Sequence, residues 1–458
     1  MVTSPLSQNK HLLTRAGFGI NFSQIENLKN DKNKALIKSL FKEYPFREVN
    51  YDTPDIVQIE YTDPKATADQ KRETQKIIQK QNVELNLNFL DQITKSEDQL
   101  REKMAFFWHG HFATRVNNPK FNQQLLNVIR KNALGNFKEL LFEVSKSPAM
   151  LNFLNNQQNK KDHPNENFAR EVMELFTMGR GNYTETDIKE LARAFTGWGY
   201  NKEGEFIDRP KQHDTGTKTF LGKTGNFTGD DVLNIILEQK TTAKFITTKI
   251  YKFFVNEIPD QSHINKLSEE FYASNYDIKK LMESIFSSSW FYDKKNVGNK
   301  IKSPTELIAG MIRILPMQIG NPENITVYQK LLGQMLLFPP NVAGWPSGKS
   351  WIDSSTLMLR LQIPQIWSGL RPMEYSAKED DDMDMGMKSR EALIKSFKNP
   401  NITIDWLAVE KTFKNKNPED YLIQNTELID MKTVNQFSDQ SLKMNIINLM
   451  STPEYQLM

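Results

Sequence analysis

Asn165-Glu-Asn-Phe-Ala-Arg-Glu-Val-Met-Glu-Leu-Phe-Thr-Met-Gly179, leading on to Ala192-Arg-Ala-Phe-Thr-Gly-Trp198, is the stretch on which the reading of this chain turns. Phe168, Val172, Leu175 and Phe176 form a buried stripe at helical spacing, with Asn165 or Asn167 available as N-cap. Ile188, Leu191, Ala192 and Phe195 give a second helix. Thr184 and Asp187 open it at capping-box spacing, and Gly197 sits where a C′ residue would. The same period runs through 34–43, 80–112, 121–146, 231–256, 264–287 and 304–314. Strand-like alternation is scarce, and its best candidate is a hairpin across 205–222, where Phe206, Ile207, Phe220 and Leu221 flank a Gly/Thr-rich turn. The expected class is mainly α: a multi-helix, two-lobed assembly with at most that one small β-hairpin.

Bulk composition narrows the function classes. At 458 residues the chain exceeds one ordinary core. A net charge of +3, with no basic block interleaved with aromatics, gives no case for nucleic acid. The absence of Cys removes disulfides, thiolate nucleophiles and Cys-based metal sites together. No run of 18 or more apolar residues is present, so no membrane span is expected. The N-terminal segment lacks an apolar signal region, so as written the expected location is cytoplasmic.

The segment 377–389, rich in Asp and Met, reads as a solvated linker. It separates a main helical body, 1–376, from a C-terminal helical segment, 390–458, expected to pack on that body. One device recurs at 138–150, 279–291 and 443–455: an amphipathic helix stops at Ser/Thr followed by Pro or Ser, and a large apolar residue follows two positions on. The device reads as structural.

Several groups invite chemistry. His109 and His111 sit about 200° apart on a continuous helix and could share an ion only if Gly110 loosens it; otherwise they are core histidines. Glu171 and Glu174 lie at i, i+3, with Arg170 at i−4 from Glu174, which suits either a local ion pair on a solvated face or a carboxylate pair facing the histidines. The Glu-x-x-His pairs of ferritin-like di-iron sites are missing. Asp187 reads as a cap, whereas Arg193 has no such duty and suits an anionic group. His213 and Asp214 form a dyad in a Gly/Thr-rich loop, where the carboxylate can orient the imidazole. The following Gly-Lys-Thr ending fails as a P-loop, because Gly216 is one residue too far from Gly222 and no apolar strand leads in. Phe338-Pro-Pro-Asn-Val-Ala-Gly-Trp-Pro-Ser-Gly-Lys-Ser-Trp-Ile352 is a stiff, aromatic loop fit for a pocket wall, a lid or a packed turn, with Ser354 as N-cap of the next helix. Gly-x-Ser-x-Gly is absent, so there is no nucleophile elbow.

Together, His11-Leu-Leu-Thr-Arg-Ala-Gly-Phe-Gly19, Phe107-Trp-His-Gly-His-Phe112, Glu166 to Gly179, Tyr183-Thr-Glu-x-Asp187, Ala192 to Trp198, His213-Asp-x-Gly-x-Lys218 and Pro339-Pro-Asn-Val-Ala-Gly-Trp-Pro-Ser-Gly348 resemble the bacterial family Domain of Unknown Function 1800. The resemblance implies a mainly helical protein and brings no established activity. It also implies genes that neighbour a phosphatase- or sulfatase-like family carrying export signals, and hence such a protein as partner, with export alongside it as a route out of the cytoplasm.

Two functional expectations follow. The first is a metal-binding, hydrolytic protein that takes a divalent metal. His109, His111, His213 and Asp214 would be its ligands, and Glu171, Glu174 and Arg193 would take the catalytic roles. The second is a non-catalytic scaffold or maturation partner of the phosphatase/sulfatase-like protein, in which the same groups are buried structural networks.

Overall fold

The computed structural model describes residues 4–52, 66–372, 401–428 and 440–458. Long periodic stretches fold as pairs of helices, and in most of them a capping side chain marks the break. The 80–112 stretch belongs to the helices Ala68–Lys95 and Gln99–His111, and the Asp98 side chain accepts from the Arg101 N–H to start the second. The 121–146 stretch divides into Pro119–Asn132 and Phe137–Ser145, the latter capped by Asn136. Gly229–Leu237 is followed by Lys240–Phe254. Gln261–Ala273 and Ile278–Ser287 are parted by Asn275 and Tyr276, both left-handed, with Asp277 as cap. Ser303 and Glu306 close a capping box on Pro304–Ile314. The helix that follows the tryptophan loop, Ser354–Trp367, is capped by Asp353 rather than Ser354, since the carboxylate reaches the N–H groups of Ser355 and Thr356.

These helices enclose two hydrophobic cores, which give the two-lobed expectation its physical content. One gathers Trp108, Phe112, Phe137, Phe168, Val172, Phe195, Ile246, Phe254 and Phe286. The other gathers Phe18, Phe89, Leu307, Tyr328, Ile363, Trp367, Val409, Leu422 and Met450. Residues from 401–428 and 440–458 therefore share a core with the body, while 377–389 lies outside the described residues. The helix Gln99–His111 stands at the seam, sending Phe107 and Trp108 into the first core and Phe106 into the second.

The β structure differs from the single hairpin expected. Phe206–Asp208 pairs back onto Trp198–Tyr200, and Lys218–Phe220 pairs forward onto Lys223–Gly225. Leu221 and Gly222, at φ 45° and 79°, make the two-residue turn that positive φ at both positions favours. A third antiparallel pair, Met317–Ile319 with Ile402–Ile404, joins residues far apart in the chain. Sequence alternation gives no hint of it.

The recurring helix–stop device ends each time on a buried anchor: Met150, Phe291 and Tyr455. The residues that lead into its first two copies are paired. The Phe137 N–H donates to the Tyr276 carbonyl and the Ile278 N–H to the Gly135 carbonyl, each at 3.0 Å.

Candidate functional site

The groups singled out from the sequence fall into separate, internally satisfied sets. Asn165 is the N-cap of the helix Glu166–Glu171. Arg170 turns to Glu185, at 2.7 Å, and Glu166, at 3.2 Å, instead of Glu174. Glu174 accepts from Arg180 and from the Tyr183 hydroxyl. Glu171 is half-buried, and burial, followed by the charge of Glu174, raises its carboxyl above the usual range. Arg193 is fully engaged within its own chain. It donates to both oxygens of Asp214 (2.7 and 3.2 Å), to Glu190 and to the Thr217 carbonyl. Asp214 is thereby held below its usual range, first by Arg193. His213 donates from Nδ1 to the Thr196 carbonyl at 2.9 Å, and the Asp214 N–H donates to the Thr196 hydroxyl. His213, Asp214 and Arg193 thus clasp the end of the helix Glu185–Ala194 to the Lys218–Gly225 hairpin. Asp187 closes the expected capping box and also accepts from the Leu221 N–H.

Gly110 does not break the histidine helix, which stays helical through His111, so the two rings part as the spacing dictates. His109 accepts from the Leu337 N–H through Nε2 at 3.1 Å and packs edge-on against Phe89 and Trp345. Burial holds it down to about 4. His111 faces Phe107, Trp108, Phe112 and Phe176. Among the described residues, no group of three His, Asp or Glu side chains is gathered that could hold a metal ion.

What the fold does gather is a cleft at the seam between the cores, about 450 Å³ in volume. Phe106, Phe107, Gly110 and His111 come from the histidine helix, and Lys249, Lys252 and Phe253 from Lys240–Phe254. Lys300 and Ser303 enter from the lead into Pro304–Ile314 and Glu306 from its first turn, and Glu257, Gln334, Trp351 and the stretch Trp345 to Gly348 supply most of the remaining wall. The stiff tryptophan loop is therefore a pocket wall. Two glycines fix its seat. A Cβ on Gly344 (φ 85°) would lie 2.3 Å from the Gly110 carbonyl oxygen, and one on Gly348 (φ 58°) would lie 2.3 Å from Glu257 Oε2. Both positions favour glycine by their left-handed backbone, and Gly344, which meets main chain rather than a movable carboxylate, also needs the missing side chain.

The opening segment reaches this cleft through its backbone rather than its carboxylates. Val172–Thr177 is π-helical, so the Met178 N–H donates five residues back, to Met173. In this register the Leu175 carbonyl accepts Lys249 Nζ at 3.1 Å and the Phe176 carbonyl accepts His111 Nε2 at 3.1 Å. A carbonyl can only accept, so Nε2 carries the imidazole proton and Nδ1 is left as a bare acceptor. That Nδ1 is buried without a partner, as is the indole Nε1 of Trp345.

The cleft is rich in amines. Burial, with Lys252 second, lowers the Lys249 amine to about 8. Burial also brings Lys300 down to about 7 against the pull of Glu306. Burial alone would raise the Glu306 carboxyl, but Lys103, at 2.6 Å, and Lys300 hold it well below its usual range. Glu306 is thus matched by Lys103 and, at 4.0 Å, by Lys300, on which Glu257 exerts a smaller pull.

Sequence reasoning missed all three lysines. A lysine on an amphipathic helix reads as part of a solvated face, and only Lys252 behaves that way. The available signal was weak: Lys249-Ile-Tyr-Lys252 places two cations one turn apart beside Phe253, and Lys300 leads into the Ser303 capping box.

No helix among the described residues is long and apolar enough to cross a membrane. Comparison with curated proteins and with solved structures returned no match. A family model matches nearly the whole chain, residues 11–457, and by that match the chain belongs to the family described as protein of unknown function (DUF1800).

Proposed function

We propose that this protein binds an anionic organic ligand of small-molecule size in the seam cleft. The observation that carries the reading is the convergence of Lys249, Lys252 and Lys300 with Phe107, Trp345 and Trp351 on one cavity. Its volume suits a small ligand. The aromatic rings offer an apolar face, the ammonium groups a partner for a carboxylate, phosphate or sulfate. Phenylacetate is a suitable probe, with neutral phenylacetamide as its control. Tryptophan emission should change saturably with the acid, and the amide should bind at least about tenfold more weakly, the equivalent of about 1.4 kcal/mol for one charge-assisted contact. Equal binding of acid and amide would remove the electrostatic basis of the reading.

The metal-dependent hydrolytic reading has less to support it, because its ligands belong to separate hydrogen-bonded sets. The scaffold reading, with a phosphatase- or sulfatase-like partner, draws on those same sets: Arg170, Arg193, Glu174 and Asp214 are each paired within the chain. Co-expression with such a protein and co-purification as a complex of fixed stoichiometry would favour it, while separation of the two on size exclusion would count against it.

A further inference from the structure

We propose that Lys249 is an amine nucleophile that condenses with the carbonyl group of a keto or aldehyde acid held in the seam cleft, forming a Schiff base. The proposal rests on the anion-binding reading of that cleft and adds the substrate class and the reacting atom. Three lysines line the cleft, and their surroundings distinguish them. Lys300 donates to the Phe253 carbonyl at 2.6 Å, lies 4.0 Å from the centre of the Phe253 ring and 4.0 Å from Glu306, so its amine is pinned into the wall. Lys252 is exposed and stays hydrated. Lys249 is intermediate: partly covered, 4.9 Å from the centre of the Phe245 ring, held by one hydrogen bond to the Leu175 carbonyl, and one turn before Lys252 on the same helix.

That single hydrogen bond matters for reactivity. An amine that donates one N–H to a carbonyl keeps its lone pair on the opposite side, free for a carbonyl carbon, whereas an ammonium has none to offer. Desolvation together with a neighbouring cation weakens a lysine's hold on its proton, so that a free-amine fraction is present near neutral pH while the rest stays ammonium, and Lys249 has both in burial and Lys252. His111, bound to the next carbonyl of the same π-helical turn, presents a neutral ring beside it. Lys252 is then the cation for the acid group, and Phe107 and Trp345 cover the apolar part. In the reaction the Lys249 lone pair forms the C–N bond as the carbonyl π pair moves to oxygen. Both amine protons end on that oxygen, which leaves as water while the C=N bond forms. Amine plus carbonyl gives imine plus water, with no oxidant or reductant.

Phenylpyruvate, which joins an acid, a ketone and an aromatic ring, tests this with sodium cyanoborohydride, whose hydride reduces the imine to a stable secondary amine. The full chain is treated near neutral pH, digested and mapped by mass spectrometry. The expected result is an adduct on Lys249 at least about tenfold above any other lysine, suppressed by excess phenylacetate. Adducts centred on Lys252 or Lys300, or spread over surface lysines, overturn the proposal. No adduct in a protein that binds phenylacetate saturably also overturns it while leaving the anion-binding reading intact; no adduct and no phenylacetate binding bring down both.

Discussion

Gly344 and Gly110 meet backbone to backbone, and this contact sets the tryptophan wall on the histidine helix. Gly344→Ala forces a methyl group to within 2.3 Å of a carbonyl oxygen at a φ of 85°. A loss of about 1–3 kcal/mol is expected in urea unfolding, with weaker ligand binding because the wall must shift. At Arg193 the expectation is the opposite pairing of effects. Arg193→Ala removes the clasp to Asp214 and Glu190 and should cost about 1–3 kcal/mol of stability while leaving phenylacetate affinity unchanged. A fall in affinity without a fall in stability would instead return Arg193 to the site. At this scale the sequence was legible in part. Asp187 as a cap and the divergence of His109 from His111 follow from local geometry alone. Whether Arg193 finds an outside anion or Asp214 depends on how a loop 21 residues onward folds back, and no local pattern encodes that.

The element that joins motif to cleft is the π-helical turn Val172–Thr177. Its apolar stripe was readable as helical, yet 3.6-residue and wider registers leave the same short pattern. The carboxylates drew attention, while the atoms that reach Lys249 and His111 are main-chain carbonyls, which every residue carries. The turn hangs on a short helix whose start is fixed by Asn165. Asn165→Ala should lower stability by about 1 kcal/mol, measured by thermal unfolding. A change within error would mean that packing of Phe168 and Val172 sets the helix start without the cap. Helix existence was otherwise well encoded by periodicity, and helix breaks less so. A polar cap such as Asp98 or Asn136 is easily absorbed into a longer amphipathic run, and three-residue strands such as Met317–Ile319 are too short to show alternation.

Across the whole molecule, buried cations outnumber buried carboxylates around the seam, and backbone carbonyls take up the difference. Lys10 reaches the carbonyls of Asp420 and Ile423, and Lys302 that of Tyr455, tying the C-terminal residues to the body. Burial lowers Lys10 to about 8 and Lys302 to about 7, while the unfolded chain keeps them protonated up to 10.5. The native state therefore binds fewer protons between those values, and stability rises with pH across that window. His109, at about 4 against 6.5 unfolded, acts with the same sign at lower pH, as do His11 and His111, which burial lowers as well. Glu306, held ionised, adds stability that is lost as pH falls below 4.5. Urea midpoints should climb from about pH 5 to about pH 9, and a midpoint that is flat or falls over that span would contradict this account of the buried lysines.

On the reading proposed above, the seam cleft is an anion site built on lysines that no sequence motif marks. Calorimetric titration with phenylacetate, comparing the wild-type chain with Lys249→Met/Lys252→Met, tests it most directly. One saturable site is expected, weakened about 100-fold in the double variant, about tenfold for each lysine, with the thermal midpoint of the variant unchanged or raised. Absence of saturable heat in the wild type, or equal affinity in a folded variant, would contradict it.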